Sequence, residues 1–241
     1  PFLLFLRIWG TYKSVYFHAT SEEEKSGIQK WLKIEPEKIF LLPNFPAHES
    51  EGKKAEKSEG LTIVSISRIC KTKNLLYSIK VVNKLKCNAI FDIYGPIEDK
   101  EYWKECMEEI EKHPKNVEIR YCGAIEPNKV GEIFKKYDCF LFPTLTENYG
   151  HSIVEALVNG CPVLLARGTT PWDSLHQKAG YVVDLENPKG FIKGLETIAK
   201  MNLEDYRELS NSSAKFINEK TRYLELKIEY QDFWRKVICK K

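Results

Sequence analysis

The amino-acid sequence predicts a doubly wound α/β fold built on a parallel sheet, for three reasons. The chain has 241 residues, of which 43% are hydrophobic and 29% charged, so it contains enough apolar material for one substantial core. From residue 61 onward, six short apolar or β-branched runs have the composition of strands. Longer stretches of helical periodicity separate these runs, and this alternation is typical of parallel strands joined by crossover helices.

The elements of this sheet are expected at defined positions along the chain. The predicted strands are Leu61–Ser67, Ala89–Tyr94, Val117–Tyr121, Cys139–Phe142, Pro162–Ala166 and Tyr181–Val183. The predicted helices are Asn74–Leu85, Lys100–Lys112, Lys129–Tyr137, Ser152–Asn159 and Pro188–Lys200, followed after the last strand by Asp205–Glu219 and Tyr223–Ile238.

The segment before residue 61 is expected to belong to a different structural unit. It contains a predicted strand at Val15–Ala19, a helix at Glu22–Leu32 and a strand at Ile39–Leu42. From Asn44 to Gly60 the sequence becomes charged and loses its periodicity, as is typical of a linker. We therefore predict the closing elements of a first domain at residues 1–46, a hinge at 47–60, a main domain at 61–220 and a C-terminal helix at 221–241.

Composition and missing motifs exclude several classes of function. The formal net charge is only +3, with basic residues spread among acidic ones, so a nucleic-acid partner is not expected. The sequence has no G-x-G-x-x-G after a strand, no Walker lysine loop and no G-x-S-x-G elbow, so nicotinamide, ATPase and hydrolase sites are not supported. The five histidines lack metal-ligand spacing, so no metal is expected. The seven cysteines lack C-x-x-C spacing, which predicts buried, reduced thiols in a cytosolic protein.

Ligands of doubly wound sheets bind beyond the carboxyl ends of the strands, so the loops after the strands are the candidate sites. The loop after the first predicted strand contains Arg68 and Lys73 and leads into a helix. A helix amino terminus favours anions, and two nearby cations suit a diphosphate. A solvated turn with ordinary surface cations is the alternative interpretation of the same residues.

The loop after the fourth predicted strand is the second candidate. Gly150 allows a ligand to approach the backbone closely, and the amides of Gly150, His151 and Ser152 are donors at the start of a helix. Glu155 lies in the first turns of that helix, where its carboxylate can accept hydrogen bonds from the hydroxyls of a ribose. Alternatively, Glu147 and Glu155 are acidic residues that complement the helix dipole.

The loop after the fifth predicted strand contains small residues and one tryptophan, Trp172. These residues favour a tight turn with one packed aromatic side chain, and the rim of the same crevice is the alternative.

Taken together, the three loops resemble the retaining glycosyltransferases of the GT-B fold, family 4, whose hallmark is a pair of glutamates separated by seven residues. Glu147 and Glu155 match this hallmark, and Arg68 and Lys73 have the family's arginine-to-lysine spacing. Further matching pieces are Tyr94-Gly95-Pro96, Gly123 and Gly160-Cys161-Pro162-Val163. The resemblance covers about residues 15–220, and the order of the motifs carries it. The Thr170-Pro171-Trp172 version of the third loop is similar to bacterial enzymes that build surface polysaccharides.

The resemblance implies a role for each candidate residue. Arg68 and Lys73 would hold the donor diphosphate, and Glu147 would face the donor sugar and phosphate. Glu155 would bind the ribose. The remaining donor-binding residues implied by the family are Gly95, Asn148, Tyr149, Gly150, His151 and Ser152.

The reaction implied is transfer of a sugar from a nucleotide-diphosphate donor to an acceptor hydroxyl, with retention at the anomeric carbon. Neither a metal nor another cofactor is expected, and the acceptor is expected to be a saccharide or lipid-linked molecule in polysaccharide or glycolipid synthesis. A cytoplasmic location is expected, with the inner face of the membrane as an alternative, peripheral location. Uracil, guanine and adenine all remain open as the donor base.

The chain departs from the family because most of the acceptor-binding domain is expected to be missing. Residues 1–46 resemble only the closing strand, helix and strand of that domain. We expect the chain to bind a nucleotide but to transfer sugar poorly, because both walls of the cleft are needed to position an acceptor. The alternatives are an epimerase or phosphorylase of the same fold, or a non-catalytic nucleotide-sugar-binding or scaffolding module.

Overall fold

The computed structural model describes residues 15–44 and 60–238, which form two units. One unit comprises residues 15–44 and 221–238, and the other comprises residues 60–220. The predicted hinge at 47–60 lies outside the described residues except for Gly60. Residues 1–14 and 239–241, which belong to the predicted first and last segments, also lie outside them.

The smaller unit begins with two short parallel strands joined by a helix. These elements are β1 (Phe17–Ala19), α1 (Glu22–Leu32) and β2 (Ile39–Leu41). The hydroxyl of Ser21 accepts a hydrogen bond from the Glu24 amide at 3.2 Å and so caps the amino terminus of α1. The predicted strand, helix and strand are therefore all present.

The larger unit is built on a sheet of six parallel strands. The strands are β3 (Leu61–Ile66), β4 (Ala89–Tyr94), β5 (Val117–Tyr121), β6 (Cys139–Phe142), β7 (Val163–Ala166) and β8 (Gly180–Val183). Their spatial order is β5-β4-β3-β6-β7-β8. The chain thus starts in the middle, builds outward to one edge, and then returns to the middle and builds to the other edge. This is the doubly wound order, and the predicted fold class is confirmed.

Helices cover both faces of this sheet. They are α2 (Leu75–Val82), α3 (Lys100–Ile110), α4 (Val130–Phe134), α5 (His151–Val158), α6 (Pro188–Lys200) and α7 (Leu203–Thr221). Neighbouring residues of β3 face opposite cores: Ile63 packs with residues of α2, α3 and α6, whereas Val64 packs with residues of α4 and α5. Because both faces are buried, the central strands consist almost entirely of apolar residues.

The last helix, α8 (Tyr223–Ile238), belongs to the smaller unit. Its Phe233 ring lies 4.7 Å from the ring of Phe40 in β2. The hydroxyl of Tyr230 donates a hydrogen bond to the Leu42 carbonyl at 3.3 Å. The two ends of the described chain therefore contribute to one small core.

Most predicted boundaries lie within two residues of those in the structure. The largest differences concern two helices that end earlier than predicted. The helix predicted at Asn74–Leu85 ends at Val82, and the helix predicted at Lys129–Tyr137 is reduced to the five residues of α4. In the second case Tyr137 and Asp138 instead lead into β6, and the amide of Asp138 donates to the Thr62 carbonyl of β3 at 2.8 Å. Pairing with the sheet therefore overrides the helical periodicity there.

The cysteines are less uniformly buried than predicted. Cys106, Cys139 and Cys161 are buried thiols that form no disulfide, and burial raises the pKa of Cys106 to about 12. Cys70 and Cys87 are half-buried and Cys122 is exposed, so the expectation of burial is wrong for these three. Cys239 lies outside the described residues. Within residues 15–44 and 60–238, no helix combines the length and the hydropathy needed to cross a bilayer.

Candidate functional site

The site lies where the winding of the sheet reverses, between its two central strands β3 and β6. In doubly wound sheets the loops at this switch point separate and leave a crevice for ligands beyond the carboxyl ends of the strands. The loops that follow β3 and β6 are the first and second candidate loops of the sequence. The strand order therefore brings the two loops side by side.

Hydrogen bonds that involve backbone carbonyl groups connect these two loops. The Thr72 carbonyl accepts from the Leu145 amide at 2.9 Å and from the Thr144 hydroxyl at 3.0 Å. The side-chain amide of Asn74 donates to the Pro143 carbonyl at 3.0 Å. Because backbone groups are involved on both sides, the loops form one continuous wall of the crevice.

Lys73 and Glu147 form an ion pair across the switch point. The Lys73 ammonium lies 2.5 Å from Oε2 of Glu147, and the side chains are only 13% and 21% exposed. The same ammonium lies 5.6 Å from the ring centroid of Phe142, close enough for a cation–π contact. An ammonium has three N–H donors, so a lysine held in this way can donate to a carboxylate and a phosphate together.

Arg68 is paired with a residue that the sequence analysis did not identify. Its Nη1 donates to Oε2 of Glu98 at 2.5 Å, and the two side chains are 60% and 48% exposed. The pKa of Arg68 is raised, first by the hydrogen bond to Glu98 and by the charge of Glu98, and to a smaller extent by the charge of Glu147. Among the described residues, the direct partner of Arg68 is therefore Glu98 and not Glu147.

The structure gives Gly95 a packing role in addition to the donor-binding role implied by the family. A Cβ atom on Gly95 would lie 1.7 Å from the carbonyl oxygen of Ser67, and the residue has a φ of +139°. Its amide donates to the Gly123 carbonyl at 2.9 Å, and its carbonyl accepts from the Tyr121 hydroxyl at 2.9 Å. Only glycine allows the ends of β3 and β4 to approach so closely.

Gly150 ends the second loop and caps α5. It has a φ of +79°, and its carbonyl accepts from the amides of Ile153 and Val154 at 2.9 and 3.1 Å. The first amides of α5, at His151 and Ser152, are the donors that a helix leaves without intrahelical partners. A helix therefore starts at this position as predicted, and the start of a helix is a favourable environment for an anion.

The other predicted donor residues surround the start of α5. Asn148 and His151 are exposed, and Ser152 is half-buried. The rings of Tyr149 and His151 meet edge to face with centroids 4.9 Å apart. Glu155 is half-buried on the second turn of α5.

The third loop, after β7, contacts the second one. The Thr169 carbonyl accepts from the Glu147 amide at 2.8 Å. The indole nitrogen of Trp172 donates to the Tyr149 carbonyl, and the two rings meet edge to face at 5.6 Å. Trp172 is 7% exposed. The expected packed aromatic is thus present, and it packs against the rim of the crevice, so the two alternatives for this loop describe one arrangement.

The arrangement is suited to binding an anion. It combines two cations, each matched by a carboxylate, with backbone amides at a helix start. No group of three or more His, Cys, Asp or Glu side chains arranged to hold a metal ion occurs in the described part of the chain.

Sequence reasoning missed the partners rather than the principal residues. Glu98 carried a detectable signal, because it is an acidic residue in a loop beyond the carboxyl end of a strand. Thr72 and Thr169 contribute through their carbonyl groups, which every residue has, so their identity carried no signal.

Comparison with known proteins connects this geometry to a family. The family model described as glycosyl transferases group 1 matches residues 47–216. A curated relative, the GtfA subunit of the UDP-N-acetylglucosamine–peptide N-acetylglucosaminyltransferase of Streptococcus agalactiae, is 25% identical over 139 residues, which is 56% of this chain and 26% of the relative.

Several solved structures share the fold at low sequence identity. Anabaena HepE in complex with UDP and glucose has a TM-score of 0.70 and 13% identity, and the match covers 92% of this chain and 63% of that one. Staphylococcus aureus TarM in a complex containing UDP has a TM-score of 0.65 and 19% identity, and the match covers 90% of this chain and 43% of the TarM chain. The pneumococcal O-GlcNAc transferase GtfA in complex with UDP and GlcNAc has a TM-score of 0.62 and 18% identity, and the match covers 92% of this chain and 45% of the GtfA chain.

The chain thus spans about a quarter of the curated relative and less than two thirds of each of these three structures. The family model nevertheless matches well over half of the chain, and the TM-scores of 0.62 to 0.70 show that the chain shares its fold with these structural neighbours. The chain belongs to the glycosyl transferases group 1 family and has the parallel α/β, Rossmann-like fold of GT-B glycosyltransferases.

Proposed function

We propose that this chain binds a nucleoside-diphosphate sugar in the crevice between β3 and β6 and forms the donor side of a sugar transferase. The observation that carries the proposal is the Lys73–Glu147 pair, 2.5 Å apart, which joins two loops at the switch point beside the start of α5. A diphosphate placed there meets an ammonium and free helix amides at once, and both are strong donors to phosphate oxygens.

Within this proposal, each charged residue has a distinct task. Lys73 and Arg68 bind the diphosphate, because both present charged N–H donors to phosphate oxygens from the loop that follows β3. Glu147 faces the donor sugar and keeps the Lys73 ammonium in place. Glu155, on the second turn of α5, accepts hydrogen bonds from the ribose hydroxyls.

UDP is the nucleotide that we propose. The relatives described above include a UDP-N-acetylglucosamine-dependent transferase subunit and structures solved with UDP. The sugar is transferred to a hydroxyl of a saccharide or lipid-linked acceptor, in polysaccharide or glycolipid synthesis. By the resemblance to family 4, the transfer retains the anomeric configuration.

The chemistry of the crevice fits a transfer in which negative charge develops on the departing diphosphate. Preorganised donors aimed at that charge lower the barrier more than they stabilise the bound donor. Two cations and a helix start can supply this stabilisation from the protein itself. We propose that acceptor binding requires a second domain, so the 241 residues alone bind donor but transfer little sugar.

A thermal-shift panel tests this proposal on the 241-residue chain. UDP, GDP and ADP, and the corresponding glucose conjugates, are added at increasing concentrations. We expect UDP and UDP-glucose to raise the melting temperature, since a ligand at about 100 times its Kd stabilises the folded state by about 2.7 kcal/mol.

UMP and uridine are the matched control ligands, because they keep the base and ribose but lack the diphosphate. Their shifts should be much smaller than that of UDP. Equal shifts for UMP and UDP would contradict a diphosphate-binding crevice, and no shift with any nucleoside diphosphate would contradict donor binding altogether. A larger shift with GDP or ADP than with UDP would change the nucleotide that we propose but would leave the proposed site unchanged.

A further inference from the structure

The loop after β7 contacts the second loop at two points that lie on either side of Asn148. At one point the Thr169 carbonyl accepts from the Glu147 amide at 2.8 Å, and at the other the Trp172 indole donates to the Tyr149 carbonyl. The two contacts hold the amide of Glu147 and the carbonyl of Tyr149, which are only two residues apart in sequence. Together they leave the segment from Glu147 to Tyr149 little freedom to rotate.

Trp172 is held firmly enough to serve as a fixed support. It is 7% exposed and belongs to the apolar cluster formed by α4, α5 and one face of the sheet. Its own amide donates to the Thr170 hydroxyl at 3.2 Å. A buried indole normally finds a partner for its N–H group, and here that partner is a backbone carbonyl of the second loop.

The hydrogen bond to Tyr149 also determines the direction of the next amide. In a trans peptide the carbonyl oxygen and the following N–H point to opposite sides. The peptides of the described residues are all trans. Because the Tyr149 carbonyl points at Trp172, the Gly150 N–H points away from Trp172. This N–H donates no hydrogen bond to any part of the chain that the structure describes.

We propose that Trp172 is a positioning residue for the donor: it holds the Tyr149–Gly150 peptide so that the Gly150 N–H is directed at the diphosphate. The proposal rests on the proposed function of the crevice. Trp172 itself does not touch the donor and acts through this one peptide group. The residue therefore affects nucleotide affinity even though it is part of the apolar core.

Removal of the indole N–H tests this proposal. Trp172→Phe keeps an aromatic ring beside Tyr149 but lacks the donor, and we expect UDP to bind about tenfold more weakly by calorimetry, the effect of losing one well-placed hydrogen bond to an anion. A second variant replaces Trp172 with 3-benzothienylalanine, which has the shape of tryptophan and a sulfur atom in place of the N–H. This isostere separates the lost hydrogen bond from the lost volume.

Tyr206→Phe is the matched control. The Tyr206 hydroxyl also donates to a backbone carbonyl, that of Asp138 at 3.3 Å, in a buried position just before β6. Asp138 lies at the amino ends of the strands, whereas the crevice lies at their carboxyl ends. We expect this variant to lose stability but to bind UDP as the unchanged chain does.

Hydrogen exchange of peptides covering residues 147–151, measured without nucleotide, reports on the loop independently of binding. Faster exchange and weaker UDP binding in both Trp172 variants support the proposal. Unchanged UDP affinity in variants that fold would overturn it. If the unchanged chain binds no UDP, GDP or ADP, the proposed function fails. In that case, faster exchange in the Trp172 variants would still show that Trp172 holds the second loop in place. Unchanged exchange would overturn this structural role of Trp172 as well.

Discussion

Two carboxylates of the larger unit, Asp92 and Glu147, are each paired with a cation, but their surroundings differ. Asp92 lies in the middle of β4 and is 3% exposed; it accepts from Nε and Nη2 of Arg120, both at 2.6 Å, and from the Tyr137 hydroxyl at 2.5 Å. Glu147 lies in a loop at the carboxyl edge, with 21% of its side chain exposed, and pairs with Lys73.

The difference separates a structural ion pair from one suited to binding. The lone pairs of Asp92 are largely filled by protein donors, and this pairing raises the pKa of the Arg120 guanidinium, chiefly through the hydrogen bond to Asp92. Burial, followed by the hydrogen bond to Asp92, likewise raises the pKa of Tyr137. Glu147 and Lys73 remain accessible to a ligand. We therefore expect substitutions at the first pair to change stability and those at the second to change affinity.

Arg120→Ala should have the largest effect on stability. This substitution leaves the buried Asp92 carboxylate with Tyr137 as its remaining side-chain partner. We expect the free energy of unfolding to fall by about 2–3 kcal/mol. This loss is smaller than that for a fully buried pair, because Arg120 is itself half-exposed. Urea unfolding measures this change. UDP affinity of the folded variant should stay within about twofold of the unchanged chain.

Lys104→Ala is the control for this variant, because it breaks an exposed pair with Glu101 whose nitrogen and oxygen lie 2.8 Å apart. Such a pair contributes at most about 1 kcal/mol. If Arg120→Ala and Lys104→Ala destabilise the chain equally, the buried Asp92–Arg120 pair contributes no more to stability than an exposed ion pair, and its structural role is contradicted.

Lys73→Ala should have the next largest effect, and it should act on binding. We expect UDP to bind about 30-fold more weakly, equal to about 2 kcal/mol, because a shielded ammonium in contact with phosphate is lost. Isothermal calorimetry on the 241-residue chain measures the change. If the proposed function holds, the same substitution in a chain that also carries an acceptor-binding domain should lower kcat/KM by a factor equivalent to several kcal/mol of transition-state stabilisation, about the range for one oxyanion donor.

Lys71→Ala provides the control for Lys73, since Lys71 lies in the same turn but is exposed. Its loss should change UDP affinity by no more than about twofold, as for an unpaired surface charge. An equal loss of affinity in the two variants would mean that the crevice attracts nucleotide by net charge alone and not through the Lys73–Glu147 pair.

Arg68→Ala should have the smallest effect. The Arg68 side chain is 60% exposed, so water and salt weaken its attraction for a diphosphate. We expect UDP affinity to fall by about three- to fivefold, and we expect this loss to become smaller as the salt concentration rises. Glu98→Gln keeps the shape of the partner but removes its charge, so it should not weaken binding. A fall in affinity for Glu98→Gln as large as for Arg68→Ala would show that the carboxylate has to hold the guanidinium in place.

The order of elements and the two principal loops were predictable because they depend on local chemistry. Buried parallel strands need apolar runs, and helices need a 3.6-residue periodicity, so both are visible along the sequence. Helical periodicity predicted a helix from Ser152, one residue after the start of α5, and Gly150 was recognised as a position where a ligand can approach the backbone closely. The end of α4 was predicted less well, because pairing of Asp138 with the sheet terminates that helix. The helix α2 instead gives way to turns, in which the amides of Lys84 and Leu85 donate to the carbonyls of Val81 and Val82.

The sequence by itself therefore determined the fold class, the six strands of the larger unit, and the residue types that line its central loops. Only the tertiary structure decided which of these residues meet: Lys73 with Glu147, Arg68 with Glu98, and the Trp172 indole with the Tyr149 carbonyl. The physical reason is range. Periodicity and turn chemistry act over a few neighbouring residues, whereas these contacts join positions 23 to 74 residues apart, which approach one another only when the parallel strands are placed in order.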